Sequence, residues 1–359
     1  MAVVTAPLAD PSVRRVAVVR LRVGLGDLLC SAPALRRLRE FRPDLHVTLV
    51  TWPEMAPVVA RFADSVDELL PFPGAEGIPE RTPDAAGWPA FVAAAAQRRF
   101  DLALQVYGDR PAANAVTGAL GARLVGGFAP TGWEPPPAGA QLHLRYPVQL
   151  HEADRHLRLF EHLGVPPGPP PVMHFPITAE DEAAHSGTMT GAGLRPGRYV
   201  VLHPGASSPT RRWPAERYAA VGDALAADGW DVVLTGVEGE RAISAAVRDR
   251  MRAPVTDLTG ATGLGGLAAL LRDSALLVGN DTGSAHLAAA VGALSVTVFL
   301  PGDPVRWAHP GPRHRAVVAD VACAPCPHLV CPIDFRCAAS VRAGDVLAAA
   351  RQLLSGPAG

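Results

Sequence analysis

Short, mostly apolar runs constrain this chain more than any other feature. "VAVVRL" (16–21), "HVTLV" (46–50), "FDLALQV" (100–106) and "ARLVGGF" (122–128) occupy the first half. "YVVLHPG" (199–205), "WDVVLTG" (230–236), "ALLVGND" (275–281) and "SVTVFLP" (295–301) occupy the second. Such runs suit strands buried on both faces, as in a parallel sheet covered by helices. The stretches between them carry helical spacing instead. Leu28, Ala32 and Leu35 recur after the first run, Leu157, Phe160 and Leu163 within 151–164, and Tyr218, Val221 and Leu225 after Pro214. Further helices are expected near 88–98, 238–251, 264–274, 284–292 and 343–355. Strand, loop and helix in alternation predict an α/β protein.

One stretch interrupts the alternation. "VPPGPPPVMHFP" places six prolines within 166–176, and proline neither continues a helix nor sits in a central strand. This divides the chain into an N-terminal Rossmann-like domain (1–165), a proline-rich linker region (166–197) and a C-terminal Rossmann-like domain with a terminal helix (198–359). The two domains are expected to face a cleft. A length of 359 residues fits two domains.

Composition narrows the partners. Formal net charge is −1, so no global charge argues for nucleic acid. Lysine is absent and all 33 basic residues are arginine, so an anion that needs a cation here must meet an arginine. "MAVVTAPLADPSVRR" lacks the basic start and apolar stretch of a secretory signal. No apolar run is long enough to span a bilayer, which leaves only peripheral membrane contact open. A cytoplasmic location with mostly reduced cysteines is expected.

Ligands of parallel α/β sheets bind beyond the carboxyl ends of the strands. Four loops leave such ends with unusual residues. In "GNDTGSAHLAAAVG", Asp281, Thr282 and Gly283 stand at a strand-to-helix junction, where free N–H groups and the helix dipole make an anion site. The alternative is that Asp281 or Thr282 caps the helix. In "HPGASSPTRRWPAERY", Arg211 or Arg212 would pair with a phosphate, or both are a solvated basic pair. In "GVEGERA", Glu240 would accept from ribose hydroxyls, or it complements a helix dipole. Asp27 closes the glycine turn "GLGD" and reads either as a cap or as a general base.

Together these stretches resemble glycosyltransferase family 9, the ADP-heptose:lipopolysaccharide heptosyltransferases and their relatives. The matching segments are "LRVGLGDLLCSAPALRRL", "HPGASSPTRRWPAERY", "LTGVEGER", "GNDTGSAHLAAAVG" with "FLPGDP", and "CAPCPHLVCPIDFRC". The resemblance implies the GT-B architecture and places adenine near 258–264. It implies that Thr282 and Gly283 bind the donor diphosphate, Asp281 the donor sugar, Arg211 the diphosphate in place of a lysine, and Glu240 the ribose. His286 would lie near the donor and Asp27 would be the base. The expected function is inverting transfer of a sugar, heptose from ADP-heptose, to a hydroxyl of a glycan or small-molecule acceptor. No D-x-D pair is present to hold a metal, so transfer is expected to need neither metal nor cofactor.

Two other readings remain. A catalytically silent GT-B protein would bind the nucleotide sugar as a sensor or partner subunit. A nicotinamide-dependent dehydrogenase is disfavoured, because "GLGDLL" has Leu29 where the dinucleotide fingerprint needs glycine. Cys323, Cys326, Cys331 and Cys337 begin with C-x2-C, which would suit a structural zinc, but their later spacings fit no common zinc module. Packed thiols or a local disulfide are the preferred reading, and Cys30 is expected in the core. His151, His156 and His162 share one helix and are assigned to surface or packing roles.

Overall fold

In the computed structural model, which describes residues 5–356, the apolar runs fall into two six-stranded parallel sheets. Each sheet belongs to one of two units, which divide between Val172 and Met173.

The first unit contains β1 (Arg15–Val19), α1 (Leu25–Phe41), β2 (His46–Thr51), α2 (Ala56–Val59), β3 (Glu68–Pro71) and α3 (Trp88–Arg98). It continues through β4 (Leu102–Gln105), α4 (Pro111–Ala119), β5 (Leu124–Ala129), β6 (His143–Arg145) and α5 (Glu152–His162). The strand order is β3-β2-β1-β4-β5-β6. Val16 to Val19 of β1 are at most 1% exposed, as expected for a strand with helices over both faces. Burying each valine side chain of the strand stabilises the fold by about 1.5–3 kcal/mol.

The second unit contains α6 (Ala179–Ala192), β7 (Tyr199–His203), α7 (Ala215–Ala227), β8 (Asp231–Leu234), α8 (Arg241–Arg248), β9 (Thr256–Asp257) and α9 (Leu264–Asp273). Next come β10 (Leu276–Asn280), α10 (Gly283–Ala290), β11 (Ser295–Phe299), α11 (Pro304–Trp307), β12 (His314–Val318), α12 (Arg336–Ser340) and α13 (Ala343–Ser355). Read from β9, the order is β9-β8-β7-β10-β11-β12, the same pattern as in the first unit. Both sheets are thus doubly wound, and each reverses direction beside its first strand: between β1 and β4, and between β7 and β10. Ligand crevices of such sheets lie at that reversal.

The structure departs from the sequence reading at the sheet edges and in the proline region. The short strands β3, β6, β9 and β12 lie at or next to the edges, and their polar, half-exposed residues give no apolar run. The region 166–197 includes a full helix, α6. A capping box starts it: Thr178 N–H donates to Asp181 Oδ2 at 2.8 Å, and Asp181 N–H donates to Thr178 Oγ1 at 3.2 Å. The helix belongs to the second unit. His185 pairs with Asp273 at 2.8 Å, and Arg272 pairs with Glu182. A Cβ on Gly265 would enter the Asp181 carboxylate, so α6 lies close on α9 only because position 265 is glycine. The proline run hides this helix because its weak apolar face carries little periodic signal.

Candidate functional site

At the reversal of the second sheet, β7 ends in His203 and β10 in Asn280. Asn280 is fully buried and ties the two strand ends together. Its Nδ2 donates to Pro204 O at 2.9 Å, and its Oδ1 accepts from Trp213 N–H at 3.1 Å. Sequence reasoning passed over this residue; the signal available was an amide immediately before D-T-G at a strand end.

Asn280 fixes the loop that carries the two arginines, and the structure separates their roles. Arg211 Nη1 donates to Asp281 O at 3.2 Å and stands 3.9 Å from Asp281 Oδ2, with its side chain 40% exposed. Arg212 Nε donates to Ala206 O at 2.8 Å and so closes its own loop. Arg211 is therefore the arginine that presents charge beside Asp281.

Thr282 occupies the N-cap position of α10 with no side-chain cap bond to the helix. Its hydroxyl contacts Ser284 Oγ at 3.0 Å instead. The capping alternative for Thr282 thus finds no hydrogen bond to the helix behind it. The first-turn amides of α10, starting at Gly283, face the same end of the sheet as Arg211. A cation and a helix start side by side form an arrangement suited to an anion.

His286 lies on the first turn of α10 and is 4% exposed. Its Nδ1 meets His309 Nε2 at 2.9 Å, and the Trp307 ring packs edge-on at 5.6 Å. The segment after "PGDP", from α11 to His309, thus supplies partners for the imidazole. His314, in turn, contacts Ser295 Oγ at 2.8 Å. Burial, with Arg313 and Arg315 beside it, lowers the His314 pKa to about 4.

Glu240 follows β8. Its Oε2 accepts from Val237 N–H at 2.9 Å and lies 4.0 Å from His203 Nε2. The local role given to it by the dipole alternative is therefore partly filled, since it closes the turn before α8. His203 is held below its ordinary pKa by burial, while Glu240 pulls the other way. Its Nδ1 meets Thr235 Oγ1 at 3.0 Å.

Asp27 lies in the first unit, on the first turn of α1 at the end of β1. It stands at the third position of the helix, behind the N-cap Gly24. Its Oδ1 accepts from Arg20 Nη2 at 2.9 Å, and the side chain is 20% exposed.

Three of these carboxylates share one device. A Cβ on Gly24 would stand 2.7 Å from Asp27 Oδ2, one on Gly205 would run into the Glu240 carboxyl, and one on Gly302 would run into Asp281 Oδ2. Each acid is seated against a bare Cα.

The cysteines form a separate feature. Cys323, Cys326, Cys331 and Cys337 border a cavity of about 210 Å3, and all five cysteines are free thiols, with Cys30 in the core. Among the described residues no group of three or more His, Cys, Asp or Glu is arranged to hold a metal ion. The cysteine loop braces the arginine loop, where Thr210 donates to His328 O at 3.2 Å, and the loop after β11, where Cys326 N–H donates to Pro301 O at 2.9 Å. Among the described residues no helix is long and apolar enough to cross a membrane.

Comparison with known proteins adds the family. A family model described as glycosyltransferase family 9 (heptosyltransferase) matches residues 94–335, about two thirds of the chain. Lipopolysaccharide heptosyltransferase 3 of Escherichia coli is 33% identical over 112 residues, covering 30% of this chain and 33% of that protein. The matched segment therefore spans about a third of the length of such curated relatives. Among solved structures, a family 9 glycosyltransferase from Veillonella parvula DSM 2008 superposes with a TM-score of 0.75 at 22% identity, over 95% of this chain and 97% of that one. The E. coli ADP-heptose lps heptosyltransferase II gives 0.69 at 18%, covering 95% and 98%. At a lower TM-score of 0.56 and 14% identity, over 95% of this chain and 76% of that one, lies TibC of E. coli H10407, described as an iron-containing glycosyltransferase. At these identities the structures speak to the fold.

Proposed function

The chain belongs to glycosyltransferase family 9, its paired Rossmann-like units are the GT-B architecture, and from that premise we propose that it transfers a sugar from a nucleoside diphosphate donor, heptose from ADP-heptose, with inversion. The observation that carries the proposal is Arg211 beside Asp281 at the start of α10, at the reversal of the second sheet.

The chemistry divides among named groups. Asp27 takes the proton of the acceptor hydroxyl as that oxygen attacks the anomeric carbon. The bond to the diphosphate breaks on the opposite side, so the configuration inverts. Negative charge grows on the leaving phosphate, where Arg211, Thr282 and the amides from Gly283 onward meet it. Fixed donors of this kind supply what a divalent metal supplies elsewhere, which supports transfer without one. Asp281 accepts from hydroxyls of the donor sugar and Glu240 from the ribose, with adenine near 258–264. His286, buttressed by His309 and Trp307, borders the sugar. The acceptor is a hydroxyl of a glycan or small molecule, and the chain works in the cytoplasm, where nucleotide sugars are made.

The test is calorimetric titration with ADP, UDP and GDP in excess EDTA, followed by ADP release from ADP-heptose in the same buffer. ADP is expected to bind most tightly and release to persist. Tighter UDP binding would move the donor to another sugar nucleotide. Release that stops in EDTA and returns with Mg2+ or Mn2+ would remove the metal-independent step.

A further inference from the structure

Arg20 is the fifth residue of an apolar run, directly after β1, and is 0% exposed. An aliphatic side chain would fill that place without the cost of desolvating a guanidinium, which is several kcal/mol. The residues around Arg20 show what the charge is used for. Nη1 donates to Val106 O at 2.8 Å and to Tyr107 O at 3.2 Å, which anchors the group to the end of β4. Nη2 donates to two carboxylates at once, Asp27 Oδ1 at 2.9 Å and Glu152 Oε1 at 3.0 Å.

Glu152 opens α5 and is 1% exposed. Its second oxygen accepts from Arg155 Nη1 at 3.0 Å and from the Tyr146 hydroxyl at 3.4 Å. Arg155, 2% exposed, is itself fixed by Pro147 O at 2.8 Å and Val148 O at 2.7 Å. His156 Nε2 lies 3.7 Å from Glu152 Oε1. On the β4 side, Arg22 packs over the Tyr107 ring at 4.5 Å and pairs with Asp109 at 3.3 Å. Arg20, Arg155, Asp27 and Glu152 thus form a balanced set of two guanidiniums and two acids, buried everywhere except at Asp27.

We propose that Arg20 is the positioning residue for Asp27, and that Glu152 tunes it by sharing the same Nη2. The inference rests on the reading of Asp27 as the base. Arg20 holds one carboxylate oxygen at a fixed place and leaves the partly exposed end of Asp27 to meet the acceptor hydroxyl. Glu152 draws part of the guanidinium's charge away, so Asp27 is gripped without being fully neutralised as a base. Removing either partner therefore acts on Asp27 in opposite directions.

The experiment measures ADP release from ADP-heptose, with water as acceptor, as a function of pH, in Asp27→Asn, Arg20→Lys and Glu152→Gln proteins. Lysine at 20 keeps the charge but loses the fork that anchors one nitrogen on the Val106 and Tyr107 carbonyls and aims the other at both carboxylates. Its turnover is expected to fall by about 10²-fold through misplacement of the base, with the KM for ADP-heptose unchanged and the acidic limb of the rate profile moved to higher pH. Glu152→Gln leaves Arg20 to Asp27 alone, and its acidic limb is expected to move to lower pH by roughly one unit. Opposite shifts support the proposal. Limbs that stay in place, or move together, while both melting temperatures drop would reduce the network to a structural one and overturn it. Should Arg20→Lys fail to fold, the direction of the Glu152→Gln shift decides alone. Asp27→Asn separates the two levels: wild-type release there removes the base itself, whereas an inactive Asp27→Asn with unmoved limbs elsewhere removes only the positioning role.

Discussion

The two strand reversals of this protein have the same topology and opposite chemistry. At the end of β1 a carboxylate is gripped by a buried guanidinium that a second carboxylate shares, Asp27 by Arg20 and Glu152. At the ends of β7 and β10 the polar atoms are fixed mainly by neutral dipoles: an amide staple from Asn280, a helix start at Gly283, and one half-exposed cation, Arg211. On the proposed reading, the first site holds an acid ready and the second receives an anion. A doubly wound sheet offers the place, and the side chains at its strand ends decide what is done there.

The contrast predicts how each site fails. Asp27→Asn keeps the shape and removes the proton acceptor, so turnover should fall roughly 10²–10⁴-fold while ADP affinity, measured by calorimetry, stays at the wild-type value. Wild-type turnover in a folded Asp27→Asn protein would erase the distinction between the two reversals.

Arg211→Ala should behave differently. Loss of one donor to developing charge lowers kcat by about 10²–10³-fold, and here ADP affinity should fall as well, since ground state and transition state both carry the diphosphate. Arg212→Ala serves as the contrast, because its Nε is engaged by Ala206 O within its own loop; a larger loss at 212 than at 211 would exchange their roles.

A smaller effect is expected at the seat of Glu240. Gly205→Ala forces the carboxyl aside without deleting it. Donor affinity should weaken by about tenfold, the scale of one charge-assisted hydrogen bond, with kcat little changed. Unaltered ADP binding, read by the same titration, would take Glu240 out of the ribose site.

The smallest effect is one of stability. In each unit partial burial pushes one imidazole pKa down to about 4, His151 in the first and His314 in the second. Unfolded imidazole titrates at about 6.5. Between those values the unfolded chain binds protons that the folded chain refuses, so stability falls as pH drops through that window and the effect ends below about 4. Melting temperature against pH should show this slope, and a His151→Asn, His314→Gln double variant should make it shallower. An unchanged slope would assign acid sensitivity to the carboxylates instead.

The sequence revealed these regions unevenly. Central strands were legible because burial on both faces leaves few polar residues in the run, and the loops after them because Gly, Asp and Thr there break the run abruptly. Edge strands such as "TD" in β9 and "HRAVV" in β12 lack that signal, since one side of each faces solvent. Arg20 was invisible for another reason. In sequence it is a blemish in an apolar run, and its partners Glu152 and Val106 lie 132 and 86 positions away. Pairing at such separation is set by the fold and leaves no local pattern. The choice between Arg211 and Arg212 was likewise open until the turn at 209–211 aimed one at Asp281 and the other at its own loop.

The glycine seats beneath Asp27, Glu240 and Asp281 have a consequence for how relatives of this chain are judged. A homologue could retain every acid, arginine and histidine named above and still carry alanine at the positions of Gly24, Gly205 and Gly302. Its inventory of polar residues would look intact, yet each carboxylate would be levered out of place by a single methyl group. Working and silent members of such a lineage would then differ in three hydrogen-to-carbon exchanges and in none of the groups that do chemistry.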